Sequence, residues 1–253
     1  MSQFQDHFSG HAKAYAAFRP RYPSALFAFL DDRAPRSGPV WDVATGSGQA
    51  ATALASLGRT VMATDASIQQ LQQANPHPRV QYAVALAERA PLPTQSVSLV
   101  TVAQALHWFD AARFFGEVKR VLAPGGMVAV WCYGLFRIGA GVDALVDELH
   151  DGTVGSYWPR ERGHLEAACA TLPFPFELIE AGPFDMVADW SVEQVMGYLS
   201  TWSAVRRYMA HRGTMPAARA SSATEGLLGK RRSPPGPLAA DAQGGPSQPP
   251  GVR

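Results

Sequence analysis

The chain has 253 residues, a formal net charge of +1 and a hydrophobic content of 47%. This length suits one large α/β domain or two small ones, and the apolar share supports a sizeable core, which excludes wholesale disorder. The even charge balance does not indicate a nucleic-acid binder, and no apolar run approaches the ~18 residues of a membrane span. The N-terminus lacks the apolar stretch of a signal peptide. We therefore expect a soluble, cytoplasmic protein whose partner is a small molecule, not nucleic acid or a membrane.

Neither a disulfide framework nor a metal site is expected. Cys132 and Cys169 are the two cysteines of the chain, too few for a framework. His7 and His11 are four residues apart, but Gly10 weakens a helix there and no third ligand is obvious.

The composition changes near Gly213. Residues 213–253 contain 7 prolines, 7 glycines and no aromatic residue. Such a segment buries too little apolar surface to offset the entropy of ordering it, so we expect a disordered tail.

Five short, Val-rich runs alternate with segments of helical character in the first half of the chain. The predicted strands are Val40–Val43, Thr60–Thr64, Val80–Val84, Val97–Ala103 and Met127–Trp131. The predicted helices between them are Gln49–Leu57, Ser67–Ala74 and Asp110–Leu122. Near-continuous apolar strands that alternate with helices are typical of a parallel sheet covered on both faces. The fold class is therefore doubly wound α/β.

Local signals refine these elements. Residues 67–70 (Ser-Ile-Gln-Gln) fit a capping box, and residues 122–126 (Leu-Ala-Pro-Gly-Gly) predict a helix end followed by a turn. Beyond Trp131 the pattern predicts three more helices and one strand. The helices are Val142–His150, Glu161–Leu172 and Val192–Met209, and the strand is Phe176–Ala181.

The first predicted strand runs into a glycine loop and then into a helix. Gly46 and Gly48 allow a tight turn and close approach of a ligand to the backbone. The N–H groups at the following helix N-terminus favour anionic or electron-rich groups. Asp65 ends the second strand, where a doubly wound fold places an acid beside the ribose of an adenosine. Both NAD and S-adenosylmethionine (SAM) fit these features.

Asp42 favours SAM. It lies four residues before Gly46, at the end of the strand that faces the loop. A negative charge there opposes a pyrophosphate but suits the ammonium and sulfonium groups of SAM. An NAD-linked oxidoreductase is the less favoured alternative.

With these residues, the chain resembles the class I SAM-dependent methyltransferases of the type 11 group. The matching segments are residues 42–48 (Asp-Val-Ala-Thr-Gly-Ser-Gly), Asp65, Ala87-Glu88, residues 96–100 and residues 117–126. The resemblance implies a SAM-binding Rossmann-like core over residues 40–131, with an N-terminal lid over 1–39 and a substrate-side part over 132–212. It implies a cofactor site made of Asp42, Ala44, Gly46, Gly48, Asp65, Ala66, Ala87, Glu88 and Gln104.

Two further segments resemble the branch that includes trans-aconitate methyltransferase. They are residues 8–23, with Phe8, Tyr15, Arg19 and Tyr22, and residues 103–110, with His107 and Trp108. The resemblance implies that the first segment closes over the cofactor and that the second faces the transferred methyl group. It implies substrate contacts by Tyr15, Arg19, Tyr22, His107 and Trp108, with His107 as the one candidate catalytic residue.

Two departures from the family pattern stand out. Leu86 occupies the position where many relatives have an acid for the adenine amino group. Residues 213–253 contain no apolar run for the final antiparallel strand of such folds, so the sheet is expected to lack it. The predicted function is methyl transfer to a small-molecule oxygen nucleophile, such as a carboxylate. The alternative is a non-catalytic protein that binds SAM or a partner.

Overall fold

A computed structural model describes residues 18–159, 174–179 and 181–216. Its core is a sheet of five strands in the order β3-β2-β1-β4-β5. The strands are β1 (Val40–Val43), β2 (Val61–Asp65), β3 (Val80–Val84), β4 (Val97–Ala103) and β5 (Leu122–Trp131). All four neighbouring pairs are parallel. Within the described residues the sheet has no antiparallel strand, and the doubly wound α/β prediction is confirmed.

Helices cover both faces of this sheet. They are α1 (Ser24–Arg33), α2 (Gln49–Ser56), the short α3 (Ile68–Leu71) and α4 (Ala111–Val121). Leu26, Leu30 and Leu54 of α1 and α2 pack on one face. Phe114 and Val118 of α4 pack on the other. Because every residue of β1 is buried, its near-continuous apolar sequence follows from coverage on both sides.

A third hydrophobic cluster lies in a helical cap that follows β5. The cap contains α5 (Ala140–Asp147), a π-helical turn (Glu148–Thr153), a 3-10 turn (Gly155–Tyr157), α6 (Val192–Ser200) and α7 (Ser203–Arg212). Its buried aromatic residues include Phe136, Tyr198 and Trp202. Gly213 ends α7 with a left-handed φ of 71°, at the position where the composition of the sequence changes.

A buried arginine joins the end of α1 to the start of β2. The Arg59 guanidinium donates to an Asp31 carboxylate oxygen at 2.6 Å. It also donates to the carbonyl oxygens of Asp31, Ala34 and Pro35 at 3.0, 2.8 and 2.6 Å. These carbonyls belong to the last turn of α1 and the residues after it, which have no partner within the helix. Arg59 therefore caps α1 and fixes its angle to the sheet.

Several element predictions were wrong in detail. Residues 176–179 do not form a strand, because Phe174 and Phe176 pack on Phe115 of α4 and Pro175 has no N–H to donate to a ladder. The predicted helix Val192–Met209 is two helices, broken at Thr201 and Trp202.

Two of the local signals also need correction. The predicted turn at residues 122–126 belongs to β5, which begins at Leu122 and shifts its register against β4 between Val97 and Leu99. Ser67 accepts from the Gln70 N–H at 3.2 Å, but its own N–H donates to Asp65, so only half of the capping box forms. The helix it caps is Ile68–Leu71, shorter than the predicted Ser67–Ala74.

None of the helices in the described residues is long and apolar enough to cross a membrane. The predicted helix Glu161–Leu172 and the candidate residues His7, His11 and Tyr15 lie outside the described residues. So does nearly all of the predicted tail. The division of the chain into 1–39, 40–131, 132–212 and 213–253 stays a prediction.

Candidate cofactor and acceptor site

The site lies at the carboxyl ends of the central strands. β1 has β2 on one side and β4 on the other, and the chain order of the strands reverses at this point. In open parallel sheets, ligands bind in the crevice formed where the loops of two such strands diverge. The loop after β1, residues 44–48, and the residues after β4 meet there.

The glycine loop has the left-handed backbone that its sequence indicates. φ is 51° at Ala44, 56° at Gly46 and 80° at Gly48, the residue that precedes α2. A methyl group placed on Gly48 would lie 2.3 Å from the hydroxyl oxygen of Tyr82. Gly48 is therefore required both for its φ and for the approach of Tyr82 from β3.

The connection between β2 and β3 holds this loop from one side. The Tyr82 hydroxyl donates to the carbonyl of Asn75 at 2.7 Å, and the Asn75 N–H donates to the carbonyl of Ser47 at 3.1 Å. Burial, with a smaller contribution from the Asp42 charge, raises the pKa of Tyr82 to about 12. At neutral pH the hydroxyl keeps the proton that it donates to Asn75.

Asp42 forms the floor of the site. Its side chain is buried, and it accepts hydrogen bonds from the hydroxyls of Thr101, at 2.6 Å, and Thr45. Burial raises the pKa of Asp42 to about 6, although the two threonine hydrogen bonds oppose the shift. A buried carboxylate gains from a nearby cation, which replaces the lost solvation. The position therefore suits a positively charged ligand group.

Asp65 lies beside the same loop at the end of β2. One carboxylate oxygen accepts from the Gly46 N–H and the other from the Ser67 N–H, both at 2.9 Å. The side chain therefore fixes the glycine loop to the start of α3. Ala66 follows directly, and the Ala85 N–H donates to the Asp65 carbonyl at 3.0 Å, which brings the end of β3 to the same place.

A cleft opens above Asp42 and the glycine loop, and Arg19 forms part of its opposite wall. Its described lining residues include Arg19, Tyr22, Ala44, Gly46 and Tyr133. The Arg19 guanidinium donates to the Tyr133 hydroxyl at 2.9 Å. Tyr22 packs edge-on against Trp131, with ring centroids 5.6 Å apart. The structure thus brings two of the predicted substrate residues next to the predicted cofactor loop.

The predicted adenine segment, Ala87-Glu88, is fixed to α4. The Glu88 carboxylate accepts from the Asp110 N–H at 3.0 Å. Glu117 of α4 accepts from the Ala90 N–H at 2.6 Å and pairs with Arg120 at 2.7 Å. The hydrogen bond from Arg120 lowers the pKa of Glu117, so the pair stays ionised at neutral pH.

The residues that follow β4 lie beside the same end of the sheet. Gln104 has a left-handed φ of 58°, and its side-chain amide donates to the Tyr133 carbonyl at 3.2 Å. His107 is buried, and its ring lies 4.5 Å from that of Trp108. Neither His107 nor Trp108 is among the described residues that line the cleft above Asp42.

The residues present fit SAM. Asp42 is a buried carboxylate at the floor of the cleft, matched to a sulfonium or ammonium group. Asp65 lies beside the glycine loop, where the hydroxyls of a ribose can bind a carboxylate. Within the described residues, no three His, Cys, Asp or Glu side chains form a cluster that could hold a metal ion.

Fold, loop and acid pair together define a class I SAM-dependent methyltransferase. Residues 41–130 match the family described as the methyltransferase domain. The chain is 33% identical over 212 residues to a protein of Dictyostelium discoideum named as a candidate methyltransferase, covering 82% of this chain and 81% of that one. It is also 34% identical to a methyltransferase of uncharacterized activity from Mycobacterium bovis over 181 residues, 68% of this chain and 67% of that one.

A solved structure agrees with these relatives. The structure of a candidate type II methyltransferase from Anaeromyxobacter dehalogenans is 43% identical, with a TM-score of 0.78, and covers 88% of this chain and 93% of that one. A methyltransferase structure from Anabaena variabilis, at 19% identity and a TM-score of 0.54, shares the fold. The chain therefore belongs to the SAM-dependent methyltransferases and is an enzyme whose cofactor is SAM.

Sequence reasoning missed several residues that shape this site. Tyr82, Thr101 and Tyr133 each contact a residue that the sequence did identify, but they carry no local motif. Thr101 had one available signal, because a hydroxyl inside an otherwise apolar strand needs a buried partner. Tyr82 and Tyr133 depend on contacts between distant parts of the chain, which no local pattern indicates.

Proposed function

We propose that this methyltransferase acts on an oxygen of a small-molecule carboxylate. The observation that supports this is the position of Arg19, which lines the cleft above the glycine loop and is held by the Tyr133 hydroxyl. A planar guanidinium binds carboxylates through paired hydrogen bonds, so Arg19 can anchor an acceptor beside the cofactor.

For methyl transfer to a carboxylate, the protein mainly has to align the acceptor oxygen with the methyl group. Asp42 and Asp65 would hold SAM, which would supply an electrophilic methyl group to the acceptor oxygen and keep the electron pair of the carbon–sulfur bond on its sulfur as leaving group. An ionised carboxylate has no proton to lose, so this acceptor needs no general base. Arg19 would hold the acceptor, and the aromatic side chains of the cap would exclude water. His107 has a positioning role in this scheme, consistent with its ring packed on Trp108.

The branch that includes trans-aconitate methyltransferase supplies the first acceptors to test. We include trans-aconitate with benzoate, acetate and citrate in a panel of acids, assayed by transfer of labelled methyl from SAM. Methyl ester formation on at least one acid is expected. If amines or phenols are methylated and no acid is, the proposed acceptor class is wrong.

The role of Arg19 is tested with Arg19→Gln against Arg206→Gln, an exposed arginine on α7. The acceptor KM should rise about tenfold or more in Arg19→Gln, since a charge-assisted hydrogen bond contributes ~1.5–3 kcal/mol. Binding of S-adenosylhomocysteine, the demethylated form of SAM, should stay unchanged. A loss of its affinity without a loss for 5′-methylthioadenosine, which lacks the amino acid, would assign Arg19 to the cofactor carboxylate instead.

A further inference from the structure

The segment before α1, residues 18–23, packs against the cap at a glycine. Phe18 packs on Gly197 in the interior of α6, so closely that a methyl group placed on Gly197 would lie 2.4 Å from two carbons of the Phe18 ring. Carbon atoms that are not bonded to each other pack at about 3.5–4.0 Å. The ring therefore occupies the space that any other residue at position 197 would fill.

The contact continues in register to the next residue of each segment. The Arg19 guanidinium lies over the Tyr198 ring, 5.2 Å from its centroid. Tyr198 is 4% exposed and packs against Phe136 and Trp202 in the cap cluster. Because Tyr198 is fixed in this way and Tyr133 accepts from the other side, the direction of the Arg19 guanidinium depends on where the segment sits on α6.

We propose that Gly197 is a specificity-determining position: it seats Phe18 and thereby sets the place of the Arg19 guanidinium in the cleft. This inference rests on the proposed function, because it assigns the acceptor affinity of that same site to a contact in the cap. Gly197 and Phe18 act as positioning residues, since the cleft above Asp42 is lined by Arg19 and not by them.

The helix around Gly197 offers a clear physical contrast. In the interior of a helix, replacing glycine by alanine favours the helix when space is available. At Gly197 the same change must displace the Phe18 ring. In Gly197→Ala the gain in helix propensity opposes the cost of displacing the ring, so thermal stability should fall only slightly while acceptor affinity falls about tenfold, which a purely structural role would not produce.

The experiment compares Gly197→Ala with Gly116→Ala, a control in α4 where the added methyl group would have no atom within 4 Å. With the best acid of the panel, Gly197→Ala should raise the acceptor KM about tenfold, close to the loss of one charge-assisted hydrogen bond. The kcat and the affinity for S-adenosylhomocysteine should be unchanged. The double variant Gly197→Ala with Phe18→Leu should recover most of the loss, because a smaller side chain leaves room for the methyl group.

Hydrogen exchange of the peptide that carries residues 18–23 gives a readout that needs no acceptor. Exchange should be faster in Gly197→Ala than in wild type or Gly116→Ala. Unchanged exchange, or faster exchange with an unchanged KM in an active enzyme, would overturn the inference. A wild type that methylates no acid would refute the proposed function, and the exchange result would still decide whether Gly197 seats this segment.

Discussion

Replacing Asp42 by asparagine should stabilise the cofactor-free protein while it weakens cofactor binding. The carboxylate is buried, and it accepts hydrogen bonds from two threonine hydroxyls and from the Ala51 N–H. A hydroxyl can donate or accept, so an asparagine can keep all three contacts, with its oxygen accepting from one threonine and from the Ala51 N–H and its amide donating to the other threonine. The substitution then removes the cost of a buried charge without leaving a polar group unpaired.

The size of the effect follows from the pKa of Asp42. Burial raises it from 3.8 to about 6, so the folded chain binds this proton more tightly than the unfolded chain. The ionised side chain therefore lowers the free energy of unfolding, and this loss grows as the pH rises from about 4 to above 6. At 1.36 kcal/mol per pKa unit, the cost is about 3 kcal/mol at pH 8 and about half of that at pH 5.

Urea denaturation of wild type and Asp42→Asn at pH 8 and pH 5 measures this. The variant should gain up to about 3 kcal/mol at pH 8, and the gain should shrink by about half at pH 5. Its Kd for SAM should rise at least about tenfold, because the cationic groups lose their counter-charge. An Asp42→Asn protein that is less stable than wild type at pH 8, or whose gain does not change with pH, would refute the reasoning.

Three other substitutions test separate parts of the structure. Gly48→Ala should weaken SAM binding at least about tenfold and destabilise the fold by ~1–3 kcal/mol, because the methyl group collides with Tyr82 and φ is 80°; calorimetry and thermal melts check both. Arg59→Met should cost about 3 kcal/mol in urea denaturation, since three carbonyls lose their partner and Asp31 keeps only its pair with the exposed Arg36; a cost below about 1 kcal/mol would contradict the capping role. Asp65→Ala should weaken SAM binding in calorimetry, and unchanged affinity would remove Asp65 from the cofactor site.

The sheet was predictable because its signals are local. A buried parallel strand needs apolar residues on both faces, so β1 and β4 have the bounds that their Val-rich runs indicate. β3 also has its predicted bounds, although it lies at the edge of the sheet and has no buried residue. The glycine loop and Asp65 were predictable for a similar reason. Backbone with positive φ favours glycine, and the carboxyl end of a strand in this fold faces the ligand.

The remaining features depend on tertiary contacts. Phe176 lies in an apolar run that resembles a strand, but its ring packs against Phe115 and no strand forms there. The seat of Phe18 on Gly197 joins residues far apart in the chain. A Gly-Gly pair usually marks a turn, yet Gly125-Gly126 lies within β5. The strand continues there because its pairing with β4 shifts register.

The strand order also governs how the chain folds during synthesis. Asp42 in β1 and Thr101 in β4, which pair across the sheet, are 59 residues apart in the chain. At ~5–20 residues per second, a ribosome needs about 3–12 s to make the missing neighbour of β1. During that interval one edge of an almost wholly apolar strand stays unpaired outside the tunnel. The nascent chain should therefore engage chaperones until β4 emerges, and a pause in translation between β3 and β4 should lower the yield of soluble enzyme.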